Sequence, residues 1–149
     1  MAGIGIKSDF AAVQRAQQRI EKLSRIDRKQ LLDVVGATVE SQTRRRIEEE
    51  KFAPDGTQWP NWLDSYAKTR HGGHSLLIGE GDLLGSIGYA VYFGSDEVEI
   101  GSNLIYAATH DQGDEDRGIE QRQFLGLSDA NQDELDRIVD EFIDGLMER

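Results

Sequence analysis

The sequence predicts an α+β fold. An antiparallel, hairpin-based β-sheet packs against a long helix from the N-terminal half and an amphipathic C-terminal helix, with long loops between them. Three observations predict it. Ile87, Tyr89, Val91 and Phe93 alternate with Ser86, Gly88, Ala90 and Tyr92, and the chain returns after Gly94-Ser95-Asp96 through Val98 and Ile100. A period of two on both sides of a turn is a β-hairpin, Ser86 to Gly101. Leu135, Ile138, Val139, Phe142, Ile143 and Leu146 recur at i, i+3, i+4, i+7, i+8 and i+11, which is one stripe of a helix capped by Ser128. Leu31, Leu32, Val34, Val35, Thr38, Val39, Gln42 and Ile47 lie on a helix from Asp27 to Glu50, about 36 Å long at 1.5 Å per residue. Its first half is apolar almost all round, which implies burial against more than one neighbour.

The remaining elements follow in order. Phe10, Val13, Gln17, Ile20 and Leu23 give a thin stripe for a first helix, Ser8 to Leu23, with Ser8 as its cap. Ser24 to Ile26 break it, and Asp27 with Gln30 offers a capping box for the second helix. Residues 51–75 read as a long loop or arm: Pro54-Asp55-Gly56 is a turn, followed by Trp59-Pro60-Asn61-Trp62. Leu76 to Ile78 suit a short strand or a helical approach, and Asp82 caps a short turn. Asn103 to His110 form a short helix, Asp111 to Gly118 an exposed polar loop, and Gln121 to Leu125 an extended segment. The 149 residues fit one domain, 1–149, with 1–26 as a helical N-terminal extension.

Composition excludes several classes. The chain has no cysteine, so disulfides and thiolate metal sites are absent. No apolar run approaches the roughly 20 residues of a membrane span, and the first residues show no signal-peptide pattern. Its 28 acids against 17 bases give a net charge of −11, which argues against general nucleic-acid binding. The charge is uneven. Arg15 to Arg46 carries nine Lys/Arg and four Asp/Glu, whereas Asp129 to Arg149 carries eight Asp/Glu and two Arg. Such a chain offers unlike patches to a self-complementary ring, or is a dipolar monomer with two solvated helix faces.

The stretch HGGHSLLIGEGDLLGSIGY, His71 to Tyr89, invites a catalytic reading. Its glycines do not fit G-x-G-x-x-G, it has no P-loop Lys-Ser/Thr, and Glu80 and Asp82 would repel phosphate. His71 and His74 with His110 and Asp111 are the candidate metal ligands of a metal-dependent enzyme. The two glycines between the first pair oppose the helical i, i+4 arrangement that metal-binding histidines usually adopt. Turn chemistry ahead of a hairpin explains the stretch better.

Four segments, in order, carry a resemblance: Phe52-Ala-Pro-Asp-Gly-Thr-Gln-Trp59; Leu77-Ile-Gly-Glu-Gly-Asp-Leu-Leu-Gly-Ser-Ile87; Val98-Glu-Ile-Gly-Ser-Asn-Leu-Ile-Tyr-Ala107 with His110-Asp-Gln-Gly113; and Ile119-Glu-Gln-Arg-Gln-Phe-Leu-Gly-Leu-Ser128. Together they resemble the phage virion morphogenesis, or tail completion, family of Mu-like and related tailed phages. Glu80, the added Asp111 and Glu120-Gln121 depart from its pattern. The resemblance implies a non-enzymatic structural virion protein without cofactor or metal. It implies a homo-oligomeric ring, a hexamer, at the head–tail junction, made in the host cytoplasm. Its partners would be neighbouring neck or connector proteins and the tail tube or terminator, and phage DNA would pass through the lumen without specific binding. Capping of the tail tube as a terminator is the close alternative, and an adaptor that binds a host protein through the Trp loop is a third. On this reading Phe52, Trp59, Trp62 and Arg122 are the interface residues, with Arg122 pairing an acid of the adjacent subunit, while Tyr106 and Phe124 pack within the chain.

Overall fold

The computed structural model describes residues 4–8, 24–62, 64–69, 75–78 and 81–147. Within them lie strands β1 (Ile4–Ser8), β2 (Ile87–Tyr92) and β3 (Glu97–Ser102). The helices are α1 (Arg25–Arg45), α2 (Asp64–Ala67), α3 (Asp82–Ser86), α4 (Ala107–Gln112) and α5 (Asp129–Met147). The strands make one antiparallel sheet in the order β1-β3-β2. The fold is α+β.

The hairpin forms as its alternation requires. Val98 and Ile100 turn inward and are buried, while Glu97 and Glu99 face the other side. The N-terminus departs from expectation: Ile4 to Ser8 pair with β3, from Ile4 against Ser102 to Ser8 against Val98. Ser8 therefore ends a strand. The short run I-G-I alternates with period two, a signal too brief to outweigh the helical stripe after it. The rest of that expected first helix, residues 9–23, lies outside the described residues.

Helix α1 starts two residues earlier than expected, and its cap lies three residues earlier. Ser24 is its cap: the Ser24 hydroxyl accepts from Asp27 N–H at 3.1 Å and donates to the Asp27 carboxylate at 2.8 Å. The helix is central because it is apolar on two sides. Leu31, Leu32, Val35 and Val39 join the core with Val98 and Ile100 of the sheet and Leu135, Val139 and Ile143 of α5. Sheet, α1 and α5 thus form three successive layers. Gly36 sits where α1 crosses β2. A Cβ there would lie 2.7 Å from Tyr89 Cγ and closer still to Cδ2 and Cε2. The absent side chain sets the helix–sheet distance.

After Arg45 the helix widens into a π turn, Arg46–Glu50, closed by the Lys51 N–H bonded to Arg46 C=O at 2.9 Å. Lys51 is left-handed, φ 61°, and turns the chain out of the helix. Its ammonium bonds the Ile47 carbonyl, Ser75 Oγ at 3.1 Å and Leu76 O at 2.7 Å. One side chain thereby ties the helix end to the approach to α3.

Gly36→Ala would gain about 1 kcal/mol of helix propensity, but overpacking against Tyr89 outweighs that. We expect a net loss of about 1–3 kcal/mol by urea unfolding. Adding Tyr89→Ala should remove the penalty of the alanine, measured as coupling in a double-mutant cycle.

Candidate functional site

The four motif segments named in the sequence meet in space. Phe52 to Gln58 is a tight hairpin. Ala53 and Gly56 are linked by an i→i+3 bond of 2.9 Å, Gly56 has φ 91°, and Ala53 N–H bonds Thr57 C=O at 2.8 Å. The Asp55 carboxylate accepts from Thr57 N–H at 2.9 Å. Pro54-Asp55-Gly56 is the expected turn, with glycine supplying the positive φ. Trp59 then enters the core at 2% exposure and donates its indole N–H to Gln123 C=O at 2.9 Å. The first part of residues 51–75 is therefore no free arm, and Trp59 is not an exposed interface residue. Its large apolar ring is satisfied by burial and its one donor by the backbone of the 119–128 segment.

That segment is gripped from both sides. Arg46, 1% exposed, donates to Phe124 C=O at 2.7 Å, to Gly126 C=O at 3.1 Å and to Asn131 Oδ1. Asp111 answers it: Oδ1 accepts the N–H groups of Phe124 and Leu125, both at 3.0 Å. Ser128 and Asn131 cap α5 reciprocally at 3.0 Å each. Burial lowers the Arg46 pKa, partly offset by Glu50 and Asp111, and raises that of Asp111 against the opposing pull of the two N–H groups and Arg46. Sequence reasoning missed Arg46, and it read Asp111 as a candidate metal ligand in an exposed loop and not as the acceptor that holds this segment. The available signal was spacing. Arg46 continues the buried series Val35, Val39, Gln42, and Asp111 lies four residues from Ala107 on one helical face.

Arg122 does not point to a free surface alone. Its Nε donates to Pro60 C=O at 2.9 Å and Nη2 to Asn61 C=O at 3.3 Å. It holds the Trp loop against the 119–128 segment, and desolvation lowers its pKa. Beside it opens a groove of about 480 Å3 lined by Trp62, Tyr66, Leu77, Tyr106, His110 and Arg122 among others. Trp62 stacks edge-on to Tyr66 at 6.0 Å and Tyr106 edge-on to His110 at 5.9 Å. Tyr106 is 43% exposed and Ile105 83%. Tyr106 thus faces the groove, contrary to the expected packing within the chain, because it precedes α4 and leaves Ala107 to fill the core. Phe52 is 45% exposed, and Phe124 is fully buried as expected.

Of the candidate metal ligands, His110 and Asp111 are described. His71 and His74 lie outside the described residues. Among the described residues no group of three His, Cys, Asp or Glu comes together as a metal site. His110 packs on Tyr106, its Nδ1 is buried with no hydrogen-bond partner among the described residues, and burial and then Arg122 lower its pKa. Among the described residues no helix is long and apolar enough to cross a membrane.

A model of the phage virion morphogenesis family matches residues 8–144. The chain belongs to the phage virion morphogenesis family. It is 31% identical over 134 residues to the putative capsid assembly protein G of Escherichia phage Mu, covering 83% of this chain and 85% of that protein. No solved structure gives a significant match. As a family member the chain has a structural or morphogenetic role in building a phage virion. The motif segments quoted in the sequence supply Phe124, Gly126 and the Trp59 anchor around Arg46, and Leu77, Tyr106, His110 and Arg122 of the groove wall.

Two measurements test this geometry. Arg46→Met removes the donor to the buried Phe124 carbonyl, the part-buried Gly126 carbonyl and Asn131 Oδ1, and should cost about 3 kcal/mol in urea unfolding. His110 has a folded pKa below its unfolded one, so the unfolded chain binds more protons. Its stabilising contribution is present above the ordinary histidine range and is lost as pH falls through it to the folded pKa. His110→Gln should flatten the unfolding free energy as pH falls through and below the ordinary histidine range.

Proposed function

We propose that the chain is a structural ring subunit at the phage head–tail junction. It completes the tail and joins it to the head connector, leaving a channel through which DNA passes without specific binding. The observation that carries this reading is the aromatic groove: Trp62, Tyr66 and Tyr106 stand partly or largely exposed around it, braced by Arg122 on a clamped backbone. Rigid aromatic side chains on a pre-organised scaffold are what a neighbouring virion protein can bury with little ordering cost. Family membership supports a virion location. The resemblance supports a hexameric ring with the tail tube or terminator on one side and the connector on the other.

Within the proposed interface, Trp62, Phe52 and Arg122 remain candidates, while Trp59 acts from the core. Arg122 reaches its neighbour by bracing the Trp loop, since its guanidinium is bonded to Pro60 and Asn61. The terminator role is the second reading, because the same groove would serve a subunit that caps the tube.

Imaging of purified virions with a small epitope label on this chain tests the position. Label at the neck supports the reading, label at the tail tip or only on proheads overturns it, and label on the last tube ring selects the terminator. Trp62→Ala should leave thermal unfolding nearly unchanged and weaken incorporation into particles by about 30-fold or more, the scale of an interface hot spot. Trp59→Ala should instead unfold the chain, losing about 3–5 kcal/mol as a buried aromatic is deleted.

A further inference from the structure

The described residues form one three-stranded sheet with β1 and β2 at its edges. Among the described residues, no strand pairs with the outer side of β1 or of β2. Natural edges are usually guarded by charge, proline or a bulge. Strand β2 is Ile87-Gly-Tyr-Ala-Val-Tyr92 and has neither charge nor proline. Its pairing to β3 runs unbroken from Ile87 against Ser102 to Tyr92 against Glu97, with no bulge. It is a regular, uncharged, six-residue edge.

One outward backbone group of β2 is already taken. Ile87 C=O accepts from Arg44 Nη2 of α1 at 2.8 Å. Antiparallel pairing alternates inward and outward groups. Ile87, Tyr89 and Val91 therefore turn N–H and C=O away from β3, while Gly88, Ala90 and Tyr92 bond to it. Beyond Tyr89 lies a shallow depression floored by Ala37 and Ser41 and flanked by Glu40 and Arg44 of α1, which leaves room beside the edge. The same alternation carried across β3 directs Ile4, Ile6 and Ser8 of β1 inward and Gly5 and Lys7 outward.

Resting on the reading of the chain as an assembling subunit, we propose that β2 of one copy pairs with β1 of a second copy in a head-to-tail contact. The occupant is argued from the edges themselves. Both β1 and β2 run antiparallel to β3, so they run parallel to each other. Copies related by rotation about one axis can then continue the sheet strand by strand. The edges match in length, five and six residues. A β2-to-β2 pair would leave both β1 edges open, whereas the unlike pairing uses every edge when the ring closes.

The test uses proline at outward positions, where the lost N–H is not needed by β3. Val91→Pro blocks the β2 edge and Lys7→Pro blocks the β1 edge. By sedimentation velocity the full wild-type chain should associate with rising concentration, and each variant alone should stay monomeric. Mixed together they should form one-to-one dimers and stop, because the free β1 of the first meets the free β2 of the second. Unchanged assembly of either variant overturns the proposal. So does a Lys7→Pro homodimer without mixed dimers, the mark of β2-to-β2 pairing. A wild-type chain that stays monomeric at every concentration also overturns it.

Should Val91→Pro fail to fold, hydrogen exchange on wild type decides: the Tyr89 and Val91 amides should exchange about tenfold more slowly on association, and no change overturns the contact. Virions that carry the ring at the neck when built from either proline variant would keep the assembly reading and remove this contact alone.

Discussion

One buried guanidinium organises the lower half of this molecule. Arg46 leaves α1 at the point where the helix widens into its π turn and enters a space closed by Phe124, Gly126 and Asn131. A charge in that position is costly unless its donors are used. Two carbonyls and an amide oxygen use them, and Asp111 supplies a nearby negative charge. Because Asp111 also takes the N–H groups of Phe124 and Leu125, the irregular segment before α5 has its backbone satisfied without belonging to a sheet. A stretch with no regular structure is thereby fixed as firmly as a strand. Trp59 and Arg122 can then use its backbone as an anchor, and the groove wall stands on it.

The layered part of the fold was legible in the sequence because each element carried its own period. The Val98 and Ile100 alternation, the Leu135 to Leu146 stripe and the all-round apolar first half of α1 each describe a residue's local surroundings, and those surroundings are what burial enforces. The middle position of α1, with Tyr89 against Gly36 on one side and Gln42 bonded to Asn131 C=O and Glu134 on the other, follows from that all-round pattern. Strand β1 was not legible. Its five residues gain their conformation from β3, about ninety residues away, and local pattern says little about a partner so distant.

The site was less legible than the fold for a related reason. Its residues are polar groups whose role depends on what they meet. Arg46 reads as one of three consecutive arginines in a charged helix end, yet Arg44 pairs with Glu40 at 3.0 Å, Arg45 with Glu50 at 3.2 Å, and only Arg46 turns inward. Asp111 reads as one acid among many in a polar loop. Trp59 and Trp62, three residues apart, look alike in the sequence. One is core and the other lines the groove, because the hairpin at Pro54-Asp55-Gly56 directs Trp59 inward before Pro60 and Asn61 carry the chain out to Arg122.

The charge segregation along the chain takes on a different meaning in the fold. The basic end of α1 and the acidic α5 suggested unlike patches for neighbouring subunits, but α1 packs against α5 within one chain. Arg45 meets Glu134 at 3.4 Å, and Arg44 and Arg45 each have a carboxylate of α1 or its π turn within salt-bridge distance. Exposed pairs of this kind contribute little stability, about 0–1 kcal/mol each. Their effect is to neutralise a surface that would otherwise be strongly positive. Among the described residues, an aromatic groove at one place and two strand edges without a described partner strand at others are then the features left for the proposed contacts. Contacts built on those features depend on geometry, and an assembly made from them is specified by the few fixed points, above all Arg46, that hold the geometry still.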